Sequence, residues 1–324
     1  IFWMWVSAVV GMSTKFFTST LAIMYRGKDS NGVLQGGPMY FIIEGLGKSW
    51  KPLAVMFSVC GLVGALPVFN VNQLTQAING ILLTPNGVEI GLTSNLIIGL
   101  VLVTLTAVVI LGGIGRISKI ASKMVPSMVL LYFMAVLIIL GAHIEVVPKY
   151  VVMIFTDAFA ADNFKGDAFF GGLVGGLILL GVKRGAFSNE AGIGTAPLAH
   201  GAAKTNEPVR EGLVAMLGPA IDTLLVCTLT ALAILVTGVW ETSSDNGVSL
   251  TAAAFAAAMP GYGSYLLLLC IAVFSISSLF SFSYYGTKCL SFLIGADKKH
   301  YYNYFYIASI ILGATASLDM MINL

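Results

Sequence analysis

Apolar runs long enough to cross a bilayer recur along this chain, and their recurrence leaves few choices of fold. A hydrocarbon core of ~30 Å takes about 20 helical residues to cross. Eight candidate spans of that order lie at residues 1–25, 52–83, 92–113, 117–142, 169–203, 208–240, 261–295 and 301–321. The balance of 57% hydrophobic to 10% charged residues is far from the roughly half-apolar, quarter-charged mixture of soluble domains, so a water-soluble fold is excluded. The expected fold is an all-α polytopic membrane protein with a single transmembrane domain over residues 1–324.

Loop charge orients the spans, because cytoplasmic connections collect Lys and Arg. One alternate set of loops holds 12 bases, among them Arg26, Lys51, Arg116, Lys204, Arg210 and Lys298, against five acids. The other set holds only Lys149 and Lys165 beside seven acids, including Glu145, Asp162 and Glu241. The first set is therefore placed in the cytoplasm, and Ile1 enters from outside. An odd number of spans, at least one helix, is expected upstream. Two short amphipathic pieces at 148–161 and 250–259 fall in outer loops and are too short to cross. Trp3, Trp5, Trp50 and Trp240 lie near span ends, as an aromatic belt requires.

Several function classes find no support. The net charge is only +2, and no basic run is interleaved with aromatics, so nucleic acid is not an expected partner. Cys60, Cys227, Cys270 and Cys289 lack CxxC spacing and read as small core hydrophobes. His143, His200 and His300 have no metal-ligand neighbours and suit interface or capping roles. No Walker sequence supports ATP coupling. Neither HExxH, GxSxG nor a carboxylate pair within a span supports an intramembrane enzyme, so no catalytic residue and no cofactor is expected.

Charges inside a span are costly and usually face a cavity or a partner. Six occur here: Lys15, Lys183, Arg184, Glu190, Asp222 and Asp319. Three of these lie in one stretch, KRGAFSNEAGIG at 183–194, between apolar flanks that are each too short to cross alone. Together the flanks fit a discontinuous helix. Gly185, Gly192 and Gly194 let the chain leave helical geometry while Ser188, Asn189 and Glu190 occupy the break. Unwound backbone at membrane depth supplies free amides and carbonyls for a carboxylate or a cation, which makes the break a candidate substrate and ion site. A loop between two re-entrant helices is the competing arrangement. It would put Lys204, Arg210, Lys288, Lys298 and Lys299 outside, against the charge rule.

Three further features carry two readings each. Pro67, Asn70, Asn72, Gln73, Thr75 and Gln76 interrupt another span, and Asn70 and Gln73, three apart, share a face. Interhelical hydrogen bonding and ligand contact account for them equally well. Ser275, Ser277, Ser278, Ser281 and Ser283 fit close helix packing, although sodium prefers hard oxygen ligands and adjacent Ser277 and Ser278 offer them. Asp222 calls for a cationic neighbour that sequence alone does not rank. Gly171, Gly172, Gly175 and Gly176 suit close helix packing.

The segments IFWMWVSAVVGM, GGPMYFI, RGAFSNEAGIGTAPLAH and AAKTNEPVREGLVAMLGPAIDTLLVCTLTALAILVTGVW resemble those of the alanine or glycine:cation symporters. The resemblance covers nearly the whole chain. It implies a LeuT-like fold, in which two five-helix inverted repeats surround a midplane site built from two broken helices. The stretch 183–194 is similar to the second of these, and the first, a GTGN-type segment, is expected upstream, with the final helices downstream. The implied function is sodium-coupled uptake of alanine or glycine by alternating access. Sodium would be the coupling ion, the plasma membrane the location, and no obligate protein partner is evident. Proton coupling is the nearest variant. An ion or solute channel is a more distant one, since a single broken helix with scattered polar faces lacks the polar rings of a pore.

By the same resemblance, Phe187, Ser188, Asn189 and Gly192 belong to the unwound segment that contacts the amino acid, and Ser188 and Asn189 also contact sodium. Glu190 is given the part of a brace. Asn70 and Gln73 match a substrate-facing polar pair, and Ser277 and Ser278 a sodium-site step. Phe282 stands at a pocket position where the family carries a tryptophan, and Ser281, Pro67 and Phe69 stand where glycines are usual, so the pocket is expected to differ in size.

Overall fold

The computed structural model describes residues 1–160, 173–243 and 247–316. Apart from one two-stranded hairpin, β1 (Gly27–Lys28) with β2 (Leu34–Gln35), the described secondary structure is helical. Among the described residues, six helical stretches are long and apolar enough to cross a membrane: Phe2–Met24, Lys48–Asn86, Leu92–Ile110, Gly115–Ala142, Pro208–Val236 and Gly263–Ile294. The two other expected spans are represented by α8 (Leu173–Asn189) with α9 (Thr195–His200), and by α15 (Lys299–Thr315). Both α8 and α15 have 17 residues. Asp319 lies outside the described residues, as do Asp162 and Lys165. The two short outer pieces are helices, α7 (Val147–Ala158) and α13 (Val248–Ala258).

The chain forms two compact units, Ile1–Phe57 with Leu140–Val236, and Ser58–Ile139 with the described residues from Thr237 on. In the first unit, α1 (Phe2–Met24) packs against α8, α9 and α10 (Pro208–Pro219). Small residues make this packing close. A Cβ on Gly181 would lie 2.5 Å from Trp3 Cβ, one on Gly185 2.8 Å from Ser7 Oγ, and one on Gly212 2.2 Å from Thr20 Oγ1. Lipid gives apolar helices no hydrophobic reason to associate, so intimate van der Waals contact of this kind holds them together. The first turn of α1 is fixed from α7 by Phe2, whose ring lies 4.9 Å from Phe159 and 5.8 Å from Phe155. The Trp5 indole N–H donates to Thr228 Oγ1 at 2.6 Å.

In the second unit, α4 (Val68–Ile78), α5 (Leu92–Ile110), α14 (Gly263–Ile294) and α15 share a core that includes Val71, Leu74, Leu102, Leu279, Tyr306 and Ile310. Two tyrosines bury their rings there and keep their hydroxyls paired: Tyr306 donates to Leu279 O at 2.7 Å and Tyr302 to Leu62 O at 3.0 Å. The span expected at 52–83 is two helices, α3 (Lys51–Gly64) and α4, broken before Pro67, whose ring cannot continue the hydrogen-bond ladder. Helix α14 is continuous for 32 residues, which is ~48 Å at 1.5 Å per residue.

Candidate functional site

The helix break lies in the first unit, in the α8–α9 connection. The chain is helical through Lys183, Gly185 and Ser188 and leaves the helix only after Asn189, so the break is shorter than the expected 183–194. Gly185 is occupied in packing on Ser7 and stays helical. Departure begins at Glu190, with φ of 56° the one non-glycine residue at positive φ among the described residues. Gly192 and Gly194 follow at 87° and 94°, where a side chain would strain the backbone. A Cβ on Gly194 would also lie 2.5 Å from the Phe57 ring.

Side chains hold this open backbone. Asn189, only 4% exposed, accepts from the Ala191 amide at 2.9 Å through Oδ1 and donates to Thr223 Oγ1 at 3.0 Å through Nδ2. The Glu190 carboxylate accepts from Thr195 Oγ1 at 2.5 Å, spanning the gap between the two half-helices. Ser188 Oγ donates to Asp222 Oδ2 and lies 3.1 Å from Cys227 Sγ. Asp222 and Thr223 sit on a widened π-helical turn, Ala220–Cys227, directly after Pro219. Turns of this kind often mark functional positions.

The cationic neighbour of Asp222 is Lys15, near the middle of α1, which lies within electrostatic reach of both Asp222 and Glu190. Its ammonium has room because residue 218 is glycine: a Cβ there would lie 3.1 Å from Lys15 Nζ. Lys15 and Glu190 both line a cavity of about 230 Å³. Hydroxyl, amide and carboxylate oxygens from residues 188, 189, 222 and 223 thus gather at one place, a donor set suited to a hard cation.

Of the expected site residues, Ser188, Asn189 and Gly192 lie in this arrangement, while Phe187 is 64% exposed one residue before Ser188. Asn70, Gln73, Ser277, Ser278 and Phe282 belong to the second unit, on α4 and α14, which pack against each other. There Asn72 reaches across to the end of α15, donating to Ala316 O at 2.7 Å, and accepts from Gln76 of its own helix at 2.9 Å. Asn70 and Gln73 are half-buried and make no side-chain hydrogen bond among the described residues. Ser277 is 6% exposed and donates to Phe274 O at 2.8 Å, which leaves its lone pairs available. Ser278 is half-buried. Phe282 packs against the core of its unit, its ring 5.9 Å from that of Tyr285.

Thr223, Thr195 and Lys15 were not among the expected ligands. Lys15 and Asp222 stand out in the sequence as buried charges, but their proximity comes from the fold. Thr223 carries no sequence signal beyond following Asp222.

Comparison with known proteins gives a consistent picture. The family model for the sodium:alanine symporter family matches residues 1–324. The chain is 42% identical to the sodium/alanine symporter AgcS of Methanococcus maripaludis, covering 100% of this chain and 70% of AgcS. It is 36% identical to an uncharacterized transporter of Haemophilus influenzae, over 99% of this chain and 69% of that protein. It is 34% identical to the probable sodium/glutamine symporter GlnT of Bacillus subtilis, over 99% of this chain and 64% of that one.

Proposed function

Since the chain belongs to the sodium:alanine symporter family, we propose that it takes up a small neutral amino acid, alanine or glycine, with sodium, at a site built on its helix break. The observation that carries this reading is the break at residues 190–194, stitched by Ser188 and Asn189 to Asp222 and Thr223. Free backbone there serves the amino acid's carboxylate or ammonium, while the side-chain oxygens of Ser188, Asn189, Asp222 and Thr223 serve sodium. Ser277, Ser278, Asn70, Gln73, Phe187, Gly192 and Phe282 retain the roles expected of them under the same reading, within a LeuT-like inverted-repeat bundle.

Coupling follows from shared ligands. Sodium drawn onto the Ser188–Asp222 oxygens pins the end of α8, and the pinned break presents its amides to the amino acid. Each ligand then raises the other's affinity by the same factor. The identity to a sodium/alanine symporter supports alanine, and the resemblance of the site segment supports glycine as its small competitor.

The test is uptake of labelled alanine by the full-length protein in liposomes. An inward sodium gradient should drive accumulation, which replacement of sodium by potassium abolishes and an excess of unlabelled glycine reduces. Accumulation driven by a proton gradient without sodium would replace the proposed coupling ion. Saturation-free flux with no accumulation would replace the symporter by a channel.

A further inference from the structure

The oxygens gathered at the helix break suit a hard cation, but they do not by themselves tell sodium from calcium, since both ions take oxygen ligands and are close in size. Charge does. Glu190 and Asp222 each bring one negative charge into the span, and Lys15 brings one positive. The ammonium is placed to act on both. Its Nζ would lie 3.1 Å from a Cβ on Gly218, one turn ahead of Asp222 in the same span. Lys15 also lines the cavity that Glu190 lines. The hydrogen bonds of the two carboxylates go to hydroxyls, that of Glu190 to Thr195 and those of Asp222 to Ser188 and Thr223. Lys15 therefore acts on the pair through its charge.

We infer that Lys15 fixes the valence of the coupling ion: its ammonium cancels one of the two carboxylate charges and leaves a site that one monovalent cation makes neutral. The inference rests on the proposed sodium coupling, to which it adds the ground of ion choice. A divalent ion on the same oxygens would leave a positive charge unanswered inside the span, where such a charge is costly. Without Lys15 the preference reverses. Two carboxylates then suit a divalent ion, and a single sodium leaves a negative charge behind. Gly218 serves the same end, because a side chain there would crowd the ammonium away from Asp222.

The test measures binding of radiolabelled sodium to full-length protein in detergent with saturating alanine, and its displacement by calcium. The part of the bound sodium that Asp222→Asn removes reports this site. Calcium should displace that part from Lys15→Met at a concentration lower by roughly tenfold or more than from the parent, as expected when a neighbouring positive charge is lost. Lys15→Arg keeps the charge and should keep the parent's resistance to calcium. The double variant Lys15→Met with Glu190→Gln has the parent's net charge at the site, and its amide oxygen can still accept from Thr195. It should again prefer sodium, and it carries the test where Lys15→Met alone does not fold. Three results overturn the inference: calcium displacing sodium from the parent as readily as from Lys15→Met, Lys15→Arg behaving as Lys15→Met does, or the double variant preferring calcium. Absence of sodium binding by the parent overturns the coupling reading as well. Sodium binding whose sensitivity to calcium ignores residue 15 overturns the valence inference alone.

Discussion

Asn189 joins three pieces of local structure: the end of α8, the amide of Ala191 after the break, and Thr223 on the π-helical turn. Replacing it by Ala leaves Thr223, fully buried, without that donor, and a buried polar group so abandoned costs roughly 1–3 kcal/mol. Sodium-dependent alanine affinity of Asn189→Ala should accordingly fall about tenfold to a hundredfold, as read from binding isotherms at saturating sodium. A change under twofold would assign Asn189 to the scaffold alone. Thr195→Val tests the brace. It removes the hydroxyl that meets Glu190 across the gap, so maximal uptake should drop several-fold while Thr195→Ser, which keeps the hydroxyl, stays near the parent rate.

At the scale of elements, two devices hold α1 in place, and they predict different failures. Gly212 lets α10 approach α1, where a Cβ would lie 2.2 Å from Thr20 Oγ1 and 2.9 Å from Phe16 O. Overpacking costs about 1–3 kcal/mol, so Gly212→Val should lower the melting temperature in detergent by roughly 3–10 °C, on the scale of a few degrees per kcal/mol. Past the end of α1, Arg26 donates to Gly201 O at 3.0 Å, to Thr205 O at 2.9 Å and to Ala203 O, closing the chain after α9 against the start of the hairpin. Lys has no planar fork and cannot reproduce three directed bonds. Arg26→Lys should speed amide exchange over residues 201–205 at least tenfold while leaving exchange within α1 unchanged. What was legible at this scale follows from the physics of each signal. Apolar length made the long helices readable, and brevity did the same for α7 and α13, although α13, VSLTAAAFAAA, is apolar around its circumference and lacks the amphipathic face expected of it. In sequence the break starts too early, because Gly185 reads as a point of departure although its missing side chain serves close packing on Ser7. The partner of Asp222 was beyond reach, since residues 15 and 222 meet only through the packing of α1 beside α10 and the turn after it.

For the whole molecule, orientation follows from the loop charges and is open to direct measurement. Single cysteines at Ser118 and Lys298 should stay unlabelled by an impermeant thiol reagent on whole cells, while one at Ser243 is labelled, because inversion would put the basic loops outside. Labelling of all three from outside would remove α14 as a crossing helix between Ser243 and Lys298. The uninterrupted length of α14 has a further consequence, for the lipid instead of the protein. Its 32 residues exceed a ~30 Å hydrocarbon core by ~18 Å, and the excess is absorbed by leaning, by emerging into the interface or by thickening the surrounding bilayer, each at a fraction of a kcal/mol per ångström of mismatch. Short-chain lipids enlarge that mismatch and long-chain lipids reduce it. Acyl-chain length thereby becomes a mechanical variable acting on this protein, independent of either solute it carries.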